Sequence, residues 1–417
     1  MQGHDRRTAP DPSRVLWVLL ALEVLFTALD LLFGSLSFVH PEERFNALAG
    51  LSLDLSPYRP WCGGCTTESL AAAPLFRLLG PTVLVWKIVP ATLHLAMAAA
   101  GAAFAWKRSP WAAVTWMALV IAAPPAWREL GLTGWGNHAD SLVFPLAAAA
   151  LLVWGRPWLA GVVVGLGAWF CTTTLLWVPG LLLLDRRWLL TVPLGAAPML
   201  LNGWAPPGAE LALPELNAWL GWLLGPFATS AWWTDSASLL AGAWYAGLAG
   251  LALASRDRLV VVTLACFAAL TLFAPGAWAE NREDWALRAF ELRYRVPLLT
   301  AMMLGAALAP RALGLLLPVL LVGLGVRAGD WTHLSSRVGL HITAEAPALD
   351  DCAQKGLGWV EGITGWGSRP PDPLPPEPTC PGWEEGAAWG WALYVGCEDY
   401  PLGPSDTLNQ ACEQVRR

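Results

Sequence analysis

Long apolar blocks separated by short polar turns run from Val15 to about residue 328. Single blocks reach 15 to 26 residues, the length that crosses a bilayer as a helix. This pattern predicts an all-α, polytopic membrane protein. A β-barrel would show short alternating segments instead. The blocks predict helices at Val15–Val39, Pro81–Trp106, Trp111–Ala123, Leu142–Trp154, Trp188–Gly203, 237–255, 259–276, 296–309 and 312–328. Residues 159–184 can be one 26-residue helix or two short helices meeting near Cys171. Arg156 before them and Arg186-Arg187 after them favour the hairpin, because basic flanks mark one side of the membrane.

With the hairpin the crossings total eleven, an odd number. Arg6, Arg7 and Arg14 place the N-terminal tail, residues 1–14, in the cytoplasm. The transmembrane region then covers 15–329, with outer loops at 40–80, 124–141, 204–236 and 277–295. The C-terminal tail, 330–417, falls outside. Within loop one, Phe45 to Leu53 and Ser69 to Leu79 read as amphipathic helices.

Composition sharpens this reading. The chain of 417 residues is 55% hydrophobic and 14% charged, against about 25% charged in soluble domains. That balance excludes a soluble enzyme, a nucleic-acid binder and a disordered chain. The 27 Trp suit membrane interfaces. Lys is nearly absent beside Arg, and with so much Ala, Leu, Gly and Pro this is the codon usage of a high-GC bacterium. The expected location is therefore a bacterial inner membrane. The tail carries 13 acidic and 5 basic residues, which argues against anionic partners for it.

Six of the eight cysteines lie in segments assigned outside: Cys62, Cys65, Cys352, Cys380, Cys397 and Cys412. Their placement predicts disulfides, with Cys62 paired to Cys65. Gly356-Leu-Gly-Trp359 and Gly386-Ala-Ala-Trp389 recur 30 residues apart and predict two short helices with small-residue faces.

Candidate chemistry gathers in the outer loops. Gly136-Asn-His138-Ala-Asp140 opens the fourth helix. His138 and Asp140 fit metal coordination, acid–base work or a hydroxylated substrate; the bland alternative is that Asp140 or Ser141 caps the helix. Glu68 is either a catalytic carboxylate or a helix-dipole complement. Glu42 and Glu43 follow the first helix and can serve as a base, or as a solvated helix start. Glu23 and Asp30 lie in the first helix, where acids face a bundle interior or a cavity. Arg288, Arg293 and Arg295 precede a late apolar helix on the outer side. Arginine forks suit a lipid phosphate, and pairing with Glu283, Asp284 and Glu291 is the alternative.

Order and local strings resemble the GT-C superfamily of integral membrane glycosyltransferases. The strings are Ala73-Pro-Leu-Phe-Arg-Leu-Leu-Gly80, Trp135-Gly-Asn-His-Ala-Asp-Ser141, Leu159-Ala-Gly-Val-Val-Val-Gly165 and Arg293-Tyr-Arg-Val-Pro297. The resemblance spans residues 15–328. Glu42-Glu43 is the nearest counterpart of the family's loop-one acidic pair. The resemblance implies transfer of a sugar from a polyprenyl-phosphate donor, with outer carboxylates as base or metal ligands and arginines on the lipid phosphate. A divalent metal requirement is open in the sequence. The competing expectation is a non-catalytic binding or assembly protein on the same scaffold. A transporter is less favoured, because repeated halves and midplane charges are not evident.

Overall fold

The computed structural model describes residues 10–33, 41–53, 63–134, 136, 139–201, 238–273, 289–309, 316–329, 331, 341–342, 348–364, 380, 382–395 and 405–415. The described chain is helical, and its only β-type pairing is an isolated bridge between Thr82 and His341. The chain begins α1 (Pro12–Phe33), α2 (Pro41–Ser52), α3 (Gly63–Leu79), α4 (Val83–Arg108), α5 (Pro110–Ile121), α6 (Pro125–Gly131), α7 (Val143–Val153) and α8 (Pro157–Phe170). α1 and α4 are long and apolar enough to cross a membrane by length and composition, and several shorter apolar helices accompany them.

Proline and capping residues set the boundaries. Thr82 accepts a hydrogen bond from the Val85 N–H and starts α4. Pro110, Pro125 and Pro157 open α5, α6 and α8, where a missing N–H costs nothing. The helix expected from Trp188 to Gly203 is instead broken into a 3₁₀ turn, Arg187–Thr191, and two short helices, Val192–Gly195 and Ala197–Leu201. Pro193 and Pro198 each lack a backbone donor, which prevents one continuous ladder. Helix α8 also stops at Cys171, and 3₁₀ geometry follows over Thr172–Trp177. The chain then returns, so that the Thr191 hydroxyl donates to the Trp158 carbonyl at 2.7 Å.

α1 is built inside out. Its buried positions are Leu19, Glu23, Thr27 and Asp30, a stripe at helical spacing. Asp30 is 1% exposed, whereas Trp17 is 72% exposed. Elsewhere Leu78, Leu190, Leu194 and Leu321 also stand exposed. The main apolar core lies among α4, α5, α7, α8 and the helix Ala289–Leu308.

The C-terminal segment shares a second core with loop one. Trp383, Trp389, Trp391, Leu408 and Val415 cluster with Ala47, Ala72, Phe76, Val83 and Trp86. Backbone contacts pin the seam: Ile342 N–H donates to the Pro81 carbonyl at 2.9 Å, and Arg44 Nε donates to the Ile342 carbonyl at 3.2 Å. The small residues noted in the sequence sit where Asp351–Thr364 crosses Trp383–Gly390. A Cβ on Gly386 would strike the Ala353 backbone, and one on Gly356 would strike Trp383. Cys352 is bonded to Cys380. Cys65 and Cys412 are also disulfide-bonded, while Cys171 and Cys266 are reduced.

Candidate functional site

Loop two is strapped into the face of α4 by alternating polar and glycine contacts. Lys87 Nζ donates to the Leu132 carbonyl at 3.1 Å. The Gly134 N–H donates to Glu43 Oε1 at 2.8 Å, and Trp86 Nε1 donates to the same oxygen at 2.8 Å. Glycine is required along this strap, since a Cβ on Gly131 would stand 2.6 Å from His94 Nδ1. At its end Gly136 has φ +65°, and its backbone crosses that of Gly64 so closely that neither position has room for a Cβ.

This crossing brings three acids together. Glu43 comes from α2, Glu68 from α3 and Asp140 from the 3₁₀ turn that leads into α7. Glu68 is 0% exposed and Asp140 3% exposed. Lys87 Nζ lies 2.9 Å from Glu43 Oε2, so Glu43 is paired with a lysine and also held by two neutral donors. Glu68 and Asp140 have no such partner. Neither Glu68 oxygen, nor Asp140 Oδ1, receives a hydrogen bond from a described donor.

Burial pushes the carboxyls of both Glu68 and Asp140 well above the usual range. For Glu68 the neighbouring Asp140 and Glu43 charges add to the rise. For Asp140 the neighbouring Glu68 carboxyl and the Lys87 charge oppose it, while the Glu43 charge adds to it. The Gly136 backbone also favours the ionised forms, but it does not reach hydrogen-bond geometry at either Glu68 oxygen.

Two expectations change here. Glu68 does not start its helix, because α3 begins at Gly63 and carries Glu68 into its second turn. Asp140 does not cap α7, and no side-chain cap bond forms at that helix start. Glu42 lies in α2 with its side chain outside the described residues, and His138 and Arg288 lie outside them altogether. Arg293 and Arg295 sit in the first two turns of the helix Ala289–Leu308, which runs through Pro297. Their side chains are likewise outside the described residues. Among the described residues no group of three His, Cys, Asp or Glu is arranged to hold a metal ion.

A second ionic cluster lies along α1. Arg327, from the helix Leu316–Gly329, donates from Nη1 to Glu23 Oε2 at 2.8 Å and from Nη2 to Asp30 Oδ2 at 2.7 Å. Arg128 Nη1 reaches Asp30 Oδ1 at 3.0 Å, and Trp331 Nε1 reaches it at 2.8 Å. His94 Nε2 contacts Glu23 Oε1 at 3.2 Å. Sequence reasoning singled out the two acids but not Lys87, His94 or Arg327. The signal was the same for all: a charged or titratable residue inside an apolar run. The spacing Lys87 to His94 repeats that of Glu23 to Asp30, two turns on one helix face.

No family model matches the chain, and no curated protein or solved structure matches it either.

Proposed function

We propose that this chain is a membrane-embedded glycosyltransferase that moves a sugar from a polyprenyl-phosphate donor to an extracytoplasmic acceptor. The observation that carries the reading is the convergence of Glu43, Glu68 and Asp140 from three separate segments at one end of the bundle. Sugar transfer needs a base for the acceptor hydroxyl and positive charge at the leaving phosphate. The Glu68–Asp140 pair is the base in this reading. Arg293 and Arg295, with Arg288, hold the phosphate.

Membrane insertion is supported by α1, whose apolar side is exposed and whose ionic side is buried, the reverse of a helix facing water. The proposed topology has eleven crossings, the N-terminus in the cytoplasm and the disulfide-bearing tail in the periplasm of a bacterial cell. The basic turns at Lys107-Arg108, Arg156 and Arg186-Arg187 face the cytoplasm. A C-terminal alkaline phosphatase fusion is then active; an inactive fusion beside an active N-terminal one overturns the topology.

Transfer of radiolabelled sugar from polyprenyl phosphate in membranes tests the activity. Asp140→Asn keeps the volume, removes the base and lowers the rate roughly 10²–10⁴-fold. Full activity of Asp140→Asn at normal expression removes this site. A second reading, a non-catalytic assembly or binding protein, is favoured by one observation: the carboxyls are sealed from solvent. Absence of transfer by the wild type with any polyprenyl-phosphate sugar selects it.

A further inference from the structure

We propose that Glu68 and Asp140 bind one proton between them at neutral pH, and that this shared proton clasps loop two to α3. The proposal goes beyond sugar transfer and stands or falls separately from it.

The charges around the pair leave no other arrangement that is physically cheap. Glu43 faces it from α2 and Lys87 from α4. Lys87 is committed, its ammonium held by the Glu43 carboxylate and the Leu132 carbonyl. Among the described residues, Lys87 is the cation that acts on this group of carboxyls. Two ionised carboxylates side by side, with both Glu68 oxygens and Asp140 Oδ1 lacking a described donor, would combine desolvation with like-charge repulsion. The two carboxyls flank the same Gly64–Gly136 crossing and act on each other electrostatically. A single proton therefore converts an orphaned oxygen into a donor, supplies the other carboxylate with a partner and removes one of the two negative charges.

The location turns this proton into a clasp. Glu68 sits one turn beyond Gly64, and Asp140 four residues beyond Gly136, the two glycines whose backbones cross. The shared proton therefore bridges the same seam. Losing it places two negative charges across the seam in a region sealed from water, and the seam opens. Burial pushes both carboxyls upward, so the pair retains its proton through the range in which exposed carboxyls have lost theirs.

Infrared spectroscopy of the full chain in lipid nanodiscs reads the proton directly. The wild type is expected to show a protonated-carboxyl C=O stretch at pH 7 that is absent from the Glu68→Gln/Asp140→Asn double variant and shifted or lost in each single variant. Gln and Asn keep the volume and supply their own donor, so the seam stays closed. Alkaline titration of the wild type should remove the band in step with faster amide exchange across residues 63–69 and 136–142. The double variant should show no such step. A wild type without the band at pH 7, a band that persists in the double variant, or alkaline opening that is the same with and without the two carboxyls overturns the proposal. Should the double variant not fold, the wild-type titration alone decides, since a missing band or one that does not fade with seam opening is fatal.

Discussion

The two buried ionic clusters differ in how their charges are matched. Along α1, Glu23 and Asp30 face Arg327 and Arg128, with guanidinium–carboxylate contacts of 2.7 to 3.0 Å, the range of charge-assisted hydrogen bonds or close to it. Around Glu43, Glu68 and Asp140 the cation among the described residues is Lys87, and the oxygens without a hydrogen-bond partner belong to Glu68 and Asp140. A matched network resists change, because removing any member strands a buried counter-charge. A mismatched one responds to protons or to a ligand, which is what a functional site needs. The matched network also links distant parts of the chain. Asp30 alone holds α6 through Arg128, a late helix through Arg327, and the start of the tail through Trp331.

Removing one member from each cluster is the most direct way to break the comparison. Arg327→Met strands Glu23 and Asp30 and should cost about 3–5 kcal/mol, read as a collapse of the folded fraction in detergent melts. A cost near zero would mean that the network is not structural. Lys87→Met should cost less, about 2–4 kcal/mol, because Glu43 keeps the Trp86 and Gly134 donors. Equal losses for the two variants would erase the distinction. Trp86→Phe keeps the stacking partner of Phe76 and removes one donor to Glu43, for about 1–3 kcal/mol in the same melts.

The pH dependence sharpens the contrast further. The Glu68–Asp140 pair has its carboxyls raised in the folded state, so the folded chain holds a proton that the unfolded chain has released. Stability should therefore fall as pH rises from the ordinary carboxyl range toward the raised value of the pair, at up to about 1.4 kcal/mol per pH unit for one proton. Glu68→Gln should flatten this slope, and a slope unchanged in that variant would assign the pH response elsewhere. The smallest effect is expected at Asp185–Arg187, an ion pair with Arg187 largely in solvent. Arg187→Ala should leave the melting curve unchanged, and a measurable shift there would show that surface pairs matter in this protein.

The helical class was legible in the sequence because long apolar runs favour helix, and α1 and α4 reach bilayer-spanning length. Asp30 and Glu23 were also legible as buried, since an acid in such a run must face protein or water. Helix starts were less so. α3 begins six residues before the expected Ser69, because Gly63 and Gly64 fit beneath the Trp169 backbone and loop two, a constraint invisible in local propensity. The break after Val192 was written in Pro193 and Pro198, but the apolar pattern concealed it.

What the sequence determined by itself was the helical class, the apolar runs and the residue types available to the loops. Hydrophobic length and proline positions are local properties, and they act wherever the chain happens to be. Which acids share a site was decided only by tertiary structure. Glu43, Glu68 and Asp140 are separated by 25 and 72 positions. Two glycine backbones must cross before the acids can meet. The same holds for Arg327, which reaches Asp30 across 297 positions. The physical reason is that electrostatic partners are chosen by distance in space and by dielectric, and neither exists until the helices have packed.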